Sequence, residues 1–197
     1  MRVISGSAKG KKLKAPAGLN TRPITDMIKE ALFNVLAAKV TDAKLLDLFA
    51  GSGSVGIEAL SRGAQTVVFV DNSVEALKVV KENLNNCNFT REYHVLRSDV
   101  FKALGLLKRH NSKFDLVYVD PPFTNERIFN EIMESLAATD ILEIDGIVII
   151  RTPRRKEMPN FTGLHKYRLN HYGESSLHYY CRCEEDPKDD GNFSHIG

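Results

Sequence analysis

Residues 45–56 read Leu45-Leu-Asp-Leu-Phe-Ala-Gly-Ser-Gly-Ser-Val-Gly56, an apolar run that leads directly into a glycine-rich turn. The apolar run is typical of a buried strand, and the residues after the turn favour a helix. Gly51 and Gly53 allow the backbone to approach a ligand where a Cβ atom would collide with it, and the N–H groups at the helix start face that ligand. This segment therefore predicts a strand, a loop and a helix that together hold a cofactor.

A second apolar strand, Thr66-Val-Val-Phe-Val70, ends in Asp71 about 20 residues after the turn. An acidic residue at this place is positioned to accept hydrogen bonds from ribose hydroxyls. The G-x-G-x-x-G spacing of residues 51–56 also matches the dinucleotide fingerprint, so an NAD-binding oxidoreductase is an alternative. Asp47 favours S-adenosylmethionine instead, because its carboxylate suits the cationic methionine part of that cofactor and would repel a pyrophosphate.

Four aspartates are predicted at the carboxyl ends of strands: Asp47, Asp71, Asp99 and Asp120. In an open parallel sheet these ends share one edge, and ligands bind beyond it where the strand order reverses. Asp99 is placed to hydrogen-bond the adenine amino group, with Val100 as an apolar contact, although a helix cap is an alternative role. The complete predicted cofactor set is Asp47, Phe49, Ala50, Gly51, Ser52, Gly53, Asp71, Asn72, Asp99 and Val100.

The apolar run Phe114-Asp-Leu-Val-Tyr-Val119 ends abruptly in Asp120-Pro-Pro-Phe123. A planar amine is a poor nucleophile because its lone pair is delocalised. Asp120 and the Pro121 carbonyl are predicted to accept one N–H each, which localises that lone pair, while Phe123 stacks on the base. The two prolines hold the acceptors still by fixing φ. The motif predicts methyl transfer to a planar amine by the catalytic residues Asp120, Pro121, Pro122 and Phe123, with an ordinary strand-ending turn as the alternative.

Basic residues form two clusters, which the formal net charge of +2 conceals. Residues 1–25 contain no acidic residue, and a second cluster begins at Arg151 directly after the apolar strand at 146–150. Both clusters favour contact with nucleic-acid phosphates, although a solvated surface is the alternative for each. The residues predicted from these clusters to contact the substrate are Arg2, Lys9, Lys11, Lys12, Arg154 and Arg155.

Strand and helix signals alternate along the chain, which predicts an α/β fold with a mostly parallel sheet and helices on both faces. We expect three parts: a basic hairpin over residues 1–20, the α/β domain over 21–184 and an acidic flexible tail over 185–197. A first helix follows Thr25 or Asp26. Strands are predicted at 45–49, 66–70, 94–98, 114–119, 146–150, 164–170 and 177–183, and further helices at about 54–62, 73–86, 100–109 and 127–138.

Several classes of protein are disfavoured by composition. No apolar run approaches membrane-spanning length, and the N-terminus lacks the apolar stretch of a signal peptide. The three cysteines, Cys87, Cys181 and Cys183, are odd in number and lack zinc-ligand spacing, and the six histidines lack it too. We therefore expect reduced thiols, a cytoplasmic location, no metal and no contact with a membrane.

The chain also resembles the RsmD family, the bacterial 16S rRNA (guanine-N2)-methyltransferases within the class I S-adenosylmethionine-dependent methyltransferases. Many methyltransferases share the glycine loop, but its combination with an Arg-Pro-x-Thr-Asp segment is more specific. The motifs that carry the resemblance are Met1-Arg-Val-Ile-Ser-Gly6, Lys9-Gly-Lys-Lys-Leu13, Arg22-Pro-Ile-Thr-Asp26, Glu30-Ala-Leu-Phe-Asn34, Asp47-Leu-Phe-Ala-Gly-Ser-Gly53, Gly56-Ile-Glu-Ala-Leu-Ser-Arg-Gly-Ala64, Asp120-Pro-Pro-Phe123 and Tyr172-Gly-Glu-Ser175.

The resemblance implies a Rossmann-like class I methyltransferase fold with seven strands, the last antiparallel, and an N-terminal hairpin that contacts RNA. It implies S-adenosylmethionine as cofactor and methylation of a guanine N2 amine in small-subunit rRNA, either naked or in an assembling 30S subunit. It places Arg22 and Thr25 at the border of the active site, where a loop anchor or helix cap is the alternative. Phe123 stands where the family usually carries Tyr, and Arg151 stands where we expect an acidic residue.

Two other functions are compatible with the same motifs. A DNA adenine-amine or protein glutamine methyltransferase is an alternative because these enzymes carry related Pro-Pro-aromatic motifs. A non-catalytic RNA-binding module on an inherited fold is a further one. For the enzyme we expect a monomer.

Overall fold

The computed structural model of the chain describes residues 1–16 and 24–182. Within these residues the helices are α1 (Asp26–Leu36), α2 (Ser54–Ser61), α3 (Val74–Asn86), α4 (Val100–Arg109) and α5 (Ile128–Ala138), with a 3₁₀ turn at Ala37–Val40. The strands are β1 (Lys44–Leu48), β2 (Thr66–Asp71), β3 (Tyr93–Arg97), β4 (Phe114–Val119), β5 (Leu142–Pro153), β6 (His165–Tyr172) and β7 (Ser175–Cys181).

The strands form one sheet in the order β3-β2-β1-β4-β5-β7-β6. Strands β1 to β5 are parallel, whereas β7 is antiparallel to both of its neighbours, β5 and β6. The predicted seven-stranded, mostly parallel sheet with an antiparallel last strand is confirmed. Because the strand order reverses between β1 and β4, a ligand crevice is expected at the carboxyl ends of these two strands.

Successive residues of each strand point to opposite faces of the sheet, so the apolar strands present hydrophobic side chains on both faces. Helices cover both of these faces. Leu45 packs in one hydrophobic core with residues of α1, α2 and α3. The next residue, Leu46, packs in a second core with residues of α4 and α5. Asp47 shares the face of Leu45, and this directs its carboxylate toward α2.

The N-terminal segment, residues 1–16, packs against α2 and α3. One antiparallel bridge joins Arg2 to Lys12, so the predicted hairpin is present in a short form. Glu58 of α2 accepts hydrogen bonds from the backbone N–H groups of Ile4 at 2.7 Å and Ser5 at 3.0 Å. Three apolar residues of the segment are buried in the first core: Val3, Ala8 and Leu13.

Strand β5 is longer than predicted, and this changes the interpretation of one basic residue. Its last residues, 151–153, pair with residues 177–175 of β7, so the strand continues past the predicted end at residue 150. Arg151 is therefore a strand residue that is only 2% exposed, and its prediction as part of an exposed basic cluster was wrong. Cys183 and the acidic tail lie outside the described residues.

Candidate active site

The glycine-rich loop connects the end of β1 to the start of α2. Asp47 is 2% exposed and accepts a hydrogen bond from the N–H of Gly56 at 3.0 Å. The chain then turns through positive φ values at Phe49 (63°), Gly51 (55°) and Gly53 (73°). Such values are uncommon for residues other than glycine, so the two glycines allow the tight turn at the edge of the sheet.

Asp71 links the loops that follow β1 and β2. Its Oδ2 atom accepts a hydrogen bond from the N–H of Gly51, and its Oδ1 atom accepts one from the N–H of Ser73, each at 2.9 Å. Leu48 pairs with Val70, so the ends of the two strands lie side by side. The carboxylate is thus fixed at the edge of the sheet where the glycine loop turns.

Asp99 is the N-cap of α4. Its Oδ1 atom accepts hydrogen bonds from the N–H groups of Phe101 at 3.1 Å and Lys102 at 3.3 Å. The alternative role as a helix cap is therefore present in the structure. Val100 is buried next to it. Contact of either residue with adenine stays a prediction.

Asp120 follows β4 directly, and its backbone N–H donates to the carbonyl of Leu48 at 3.3 Å. The hydroxyl of Tyr118 donates to the Oδ2 atom of Asp120 at 3.2 Å. The Nη1 atom of Arg151 lies 2.9 Å from the same oxygen and 3.3 Å from Oδ1. The side chain of Asp120 is 19% exposed, and Asp120 lines the cavity described below.

The Pro-Pro-Phe turn follows Asp120. The Pro122 carbonyl accepts a hydrogen bond from the N–H of Asn125 at 3.4 Å. The Pro121 carbonyl accepts none from residues 1–16 or 24–182, which is compatible with its predicted role as an acceptor for a substrate N–H. The ring of Phe123 packs against that of Phe129, with centroids 6.0 Å apart and planes tilted by 54°.

Burial dominates the electrostatics of this edge of the sheet. It raises the pKa of Asp47 well above its usual range, and the negative charges of Asp120 and Asp71 raise the pKa of Asp47 further. Burial also raises the pKa of Asp120, while the guanidinium of Arg151 lowers it. Asp47 forms no ion pair with any residue that the structure describes. A cation bound beside it would therefore favour its ionised form.

The carboxyl ends of β1, β2 and β4 border a cavity of about 510 Å³. This volume is typical of small-molecule sites. Gly53 is the one predicted cofactor residue outside the lining; a Cβ atom there would approach Val80 at 3.2 Å and Phe69 at 3.3 Å. The predicted residues that the cavity brings together are Asp47, Phe49, Ala50, Gly51, Ser52, Asp71, Asn72, Asp99, Val100, Asp120, Pro121, Pro122 and Phe123.

The basic residues of the N-terminal segment do not line the cavity. Lys9, Lys11 and Lys12 are exposed. The two ends of their segment, Met1 and Pro16, do line it. The three lysines are therefore carried by a segment that is anchored at the cavity wall.

Two further residues predicted to contact substrate have structural partners. Arg2 forms an exposed ion pair with Asp26, with Nε and Oδ2 3.3 Å apart. The Thr25 hydroxyl accepts a hydrogen bond from the N–H of Ile28 at 3.3 Å, so the alternative role as the cap of α1 is present. Arg22 lies outside the described residues.

Arg154 and Arg155 follow the end of β5 and are exposed. The guanidinium of Arg154 donates to the Gly173 carbonyl at 3.1 Å. Neither residue lines the cavity, but Arg151, three residues before Arg154, does.

Tyr118 and Arg151 are cavity residues that we did not predict. Tyr118 lies two residues before Asp120, and the strand period of two places them on one face of the sheet. This signal was available in the sequence. Arg151 lies beside Asp120 because Val119 pairs with Ile150 in the parallel ladder between β4 and β5.

Within residues 1–16 and 24–182, no group of three or more His, Cys, Asp or Glu side chains is arranged to hold a metal ion. None of the helices in that part of the chain has both the length and the apolarity that crossing a bilayer requires. Cys87 is a buried free thiol, and Cys181 is partly buried.

Comparison with known proteins places the chain in a family. Residues 1–181 match the family model described as conserved hypothetical protein 95. The chain is 39% identical to the "Putative rRNA methyltransferase YlbH" of Bacillus subtilis over 91% of this chain and 98% of the relative. It is 30% identical to the ribosomal RNA small subunit methyltransferase D of Haemophilus influenzae, over 86% of this chain and 92% of the relative.

A solved structure agrees with these sequence relatives. The "Putative methyltransferase yhhF" of Escherichia coli superimposes with a TM-score of 0.80 at 28% identity, covering 92% of this chain and 97% of that one. The predicted Rossmann-like class I methyltransferase fold is thus confirmed. The chain belongs to the conserved hypothetical protein 95 family, the family of the ribosomal RNA small subunit methyltransferase D proteins.

Proposed function

We propose that the protein transfers a methyl group from S-adenosylmethionine to the exocyclic N2 amine of a guanine in small-subunit rRNA. One observation carries the proposal. Asp47 and the glycine loop, which fit the cofactor, share a cavity of about 510 Å³ with Asp120, Pro121 and Phe123, which fit a planar amine. The rRNA methyltransferases among the relatives support rRNA as the substrate class.

The cavity residues fit the proposed cofactor. When bound, S-adenosylmethionine supplies a methyl carbon activated by the positive sulfur next to it. Asp47, buried and without a cationic partner among the described residues, would bind the ammonium of the methionine part. Asp71 would accept hydrogen bonds from the ribose hydroxyls, and Asp99 with Val100 would contact the adenine.

The residues after β4 would prepare the nucleophile. Asp120 accepts one N–H of the amine and the Pro121 carbonyl accepts the other, so the nitrogen lone pair is localised and aimed at the methyl carbon. Phe123 fixes the plane of the base by stacking. Asp120 would offset the positive charge that develops on nitrogen during methylation and would accept the proton that nitrogen loses.

The exposed lysines and arginines would hold the RNA. Lys9, Lys11 and Lys12 on one segment, and Arg154 and Arg155 after β5, are exposed on elements whose neighbouring residues line the cavity. Such side chains bind phosphates without regard to sequence. The guanine must leave its stack to enter the cavity, which favours an unpaired site in rRNA. We further propose that the protein acts as a monomer in the cytoplasm, where small subunits assemble.

A labelling experiment tests the proposal. The protein is incubated with labelled S-adenosylmethionine and either naked 16S rRNA or assembled 30S subunits, and the modified base is mapped by mass spectrometry. We expect one N2-methylguanine. Absence of label in both substrates, or label on a different atom, would contradict the proposal.

A pair of variants tests the role of Asp120. Asp120→Ala is expected to reduce single-turnover methylation by at least about 10³-fold while S-adenosylhomocysteine still binds in isothermal titration. The matched control is Asp115→Ala, at the opposite end of the same strand, where the carboxylate accepts the exposed N–H of Lys44 at 2.8 Å. Retained activity in Asp120→Ala would refute the assignment.

A further inference from the structure

Arg151 connects the two groups that the proposed reaction needs. Its Nη1 atom lies 2.9 Å from Oδ2 of Asp120 and 3.3 Å from Oδ1. The central carbon of the same guanidinium lies 5.1 Å from the centroid of the Phe123 ring, within the range of a cation–π contact. One cation thus contacts both the proposed acceptor and the proposed stacking ring.

The side chain of Arg151 is held in place by the sheet. Arg151 lies within β5, opposite Leu177 of β7, and is only 2% exposed. Its Nε atom donates to the hydroxyl of Ser175 at 3.3 Å. A guanidinium that is buried, bonded through Nε and paired through Nη1 cannot leave the site without breaking all of these contacts. It should therefore stay in position while substrate binds.

The carboxylate of Asp120 still has room to accept a hydrogen bond from a substrate. An ionised carboxylate offers about four acceptor positions. Arg151 makes two contacts with the carboxylate and Tyr118 makes one. About one position is then left for a substrate N–H, so Arg151 does not need to move for the amine to bind.

The charge of Arg151 opposes the effects that neutralise Asp120. Among residues 1–16 and 24–182, the charged and titratable groups that act on Asp120 are Arg151 from β5, Tyr118 from β4 and Asp47 from β1. Burial raises the pKa of Asp120, and Arg151 lowers it through both its charge and its hydrogen bonds. The family resemblance led us to expect an acidic residue at this position. Such a residue would raise the pKa of Asp120.

We propose that Arg151 is a positioning residue for methyl transfer, which holds the carboxylate of Asp120 and the ring of Phe123 in one fixed arrangement. This inference rests on the proposed function. Arg151 touches neither the methyl carbon nor the amine in this scheme; it acts through Asp120 and Phe123. A protonated Asp120 would present a hydroxyl to the incoming N–H, so loss of the cation should impair both the charge and the orientation of the acceptor.

Three variants separate charge from orientation. Arg151→Met removes the charge and keeps much of the length, Arg151→Lys keeps the charge and removes the planar fork, and Ser175→Ala removes only the partner of Nε. Each is assayed for single-turnover methylation of 30S subunits or 16S rRNA from about pH 5.5 to about pH 9. Binding of S-adenosylhomocysteine, measured by isothermal titration, is expected to stay within about twofold of the wild type.

The expected results differ among the variants. Arg151→Met should lose about 10²-fold in rate near neutral pH, and the acidic limb of its pH–rate profile should move to higher pH. Arg151→Lys should return that limb toward the wild-type position with part of the rate. Ser175→Ala should lose a few fold in rate with the limb unmoved. If Arg151→Met fails to fold, the latter two variants still decide the matter.

Two results for Arg151→Met would refute the positioning role. An Arg151→Met enzyme as fast as the wild type or faster would show that Arg151 is dispensable or blocks the site. A slower enzyme with an unmoved acidic limb would show a purely structural role. Both outcomes refute the inference while leaving the proposed function intact. A wild-type protein that methylates neither substrate refutes both.

Discussion

The ammonium of Lys29 and the carboxylate of Glu58 form an ion pair of 3.3 Å in which both side chains are buried. Lys29 also donates to the carbonyl of Arg2 at 2.6 Å and to the hydroxyl of Ser54 at 3.1 Å. Lys29 therefore connects α1 to the N-terminal segment and to α2. Ser54, the first residue of α2, directly follows the glycine loop. Any loss of this pair should affect both the fold and the attachment of the basic segment.

We predict that Glu58→Ala destabilises the protein by about 3–5 kcal/mol, because it leaves the charge of Lys29 buried without its partner. Chemical denaturation followed by circular dichroism measures the change. The control is Glu82→Ala. This variant removes an exposed ion pair, in which Oε2 of Glu82 lies 2.8 Å from Nζ of Lys14, and should leave the unfolding midpoint unchanged. Equal midpoints for both variants would contradict the role given to the buried pair.

Gly6 provides a test of how tightly the N-terminal segment docks on α2. A Cβ atom at Gly6 would lie 1.7 Å from the carbonyl oxygen of Ser61, whereas one at Gly10 would meet nothing within 4 Å. Both glycines have a φ of +84°, so alanine costs about 1–2 kcal/mol of backbone strain at either position. We predict that Gly6→Ala destabilises clearly more than Gly10→Ala and detaches the segment.

Two measurements distinguish these glycine variants. Chemical denaturation gives the difference in stability, and limited proteolysis shows whether residues 1–16 become cleavable. We expect faster cleavage in Gly6→Ala only. Similar cleavage of both variants would mean that the close approach to Ser61 is unimportant.

Asp47→Asn is predicted to change stability and cofactor affinity in opposite directions. Burial raises the pKa of Asp47 in the folded protein, so the folded state holds the proton more tightly than the unfolded state does, and stability falls as pH rises toward that raised pKa. Asparagine removes this unfavourable charge and keeps an acceptor for Gly56. The unfolding midpoint near neutral pH should therefore rise, while S-adenosylhomocysteine should bind about 10–100-fold more weakly.

The same carboxyl group makes cofactor affinity depend on pH. A bound ammonium favours the ionised form of Asp47, so binding releases a proton and strengthens with pH until the raised pKa is passed. Isothermal titration in two buffers of different ionisation enthalpy detects this proton in the wild type. The control is Asp145→Asn, an exposed residue of β5. Proton release that persists in Asp47→Asn would assign it to another group.

Local pattern predicted the part of the site that follows directly from strand ends. Asp47, Asp71 and Asp120 were predictable because parallel strands place their carboxyl ends at one edge of a sheet. The spacing of residues 51–56 could not by itself distinguish a dinucleotide from S-adenosylmethionine, since it suits both. The burial of Asp47 without a cationic partner among the described residues adds the physical argument that the spacing lacks.

The contacts that the sequence did not predict depend on pairing between residues far apart in the chain. Arg151 is buried because β7 adds antiparallel to β5 and extends that strand, and no local pattern specifies such a register. The contact of Lys29 with Glu58 likewise depends on how α1 packs against α2. The docking of the N-terminal segment depends on Glu58 and Gly6, which stand far apart in the chain.

Loss of phosphate contacts on the N-terminal segment should weaken RNA binding. Lys11 and Lys12 are exposed on the segment that borders the cavity, whereas Lys39 and Lys44 are exposed near the amino end of β1, at the opposite edge of the sheet. The double variant Lys11→Ala/Lys12→Ala should weaken binding to a 16S rRNA fragment and lower the slope of log affinity against log salt by about 1.4, since each contact to single-stranded RNA contributes about 0.7. Fluorescence anisotropy across a series of salt concentrations measures both quantities. Lys39→Ala/Lys44→Ala has the same change in net charge and should leave the slope nearly unchanged, because only lysines that touch phosphates release counterions. Equal losses for the two pairs would mean that overall charge, and not the N-terminal segment, binds the RNA.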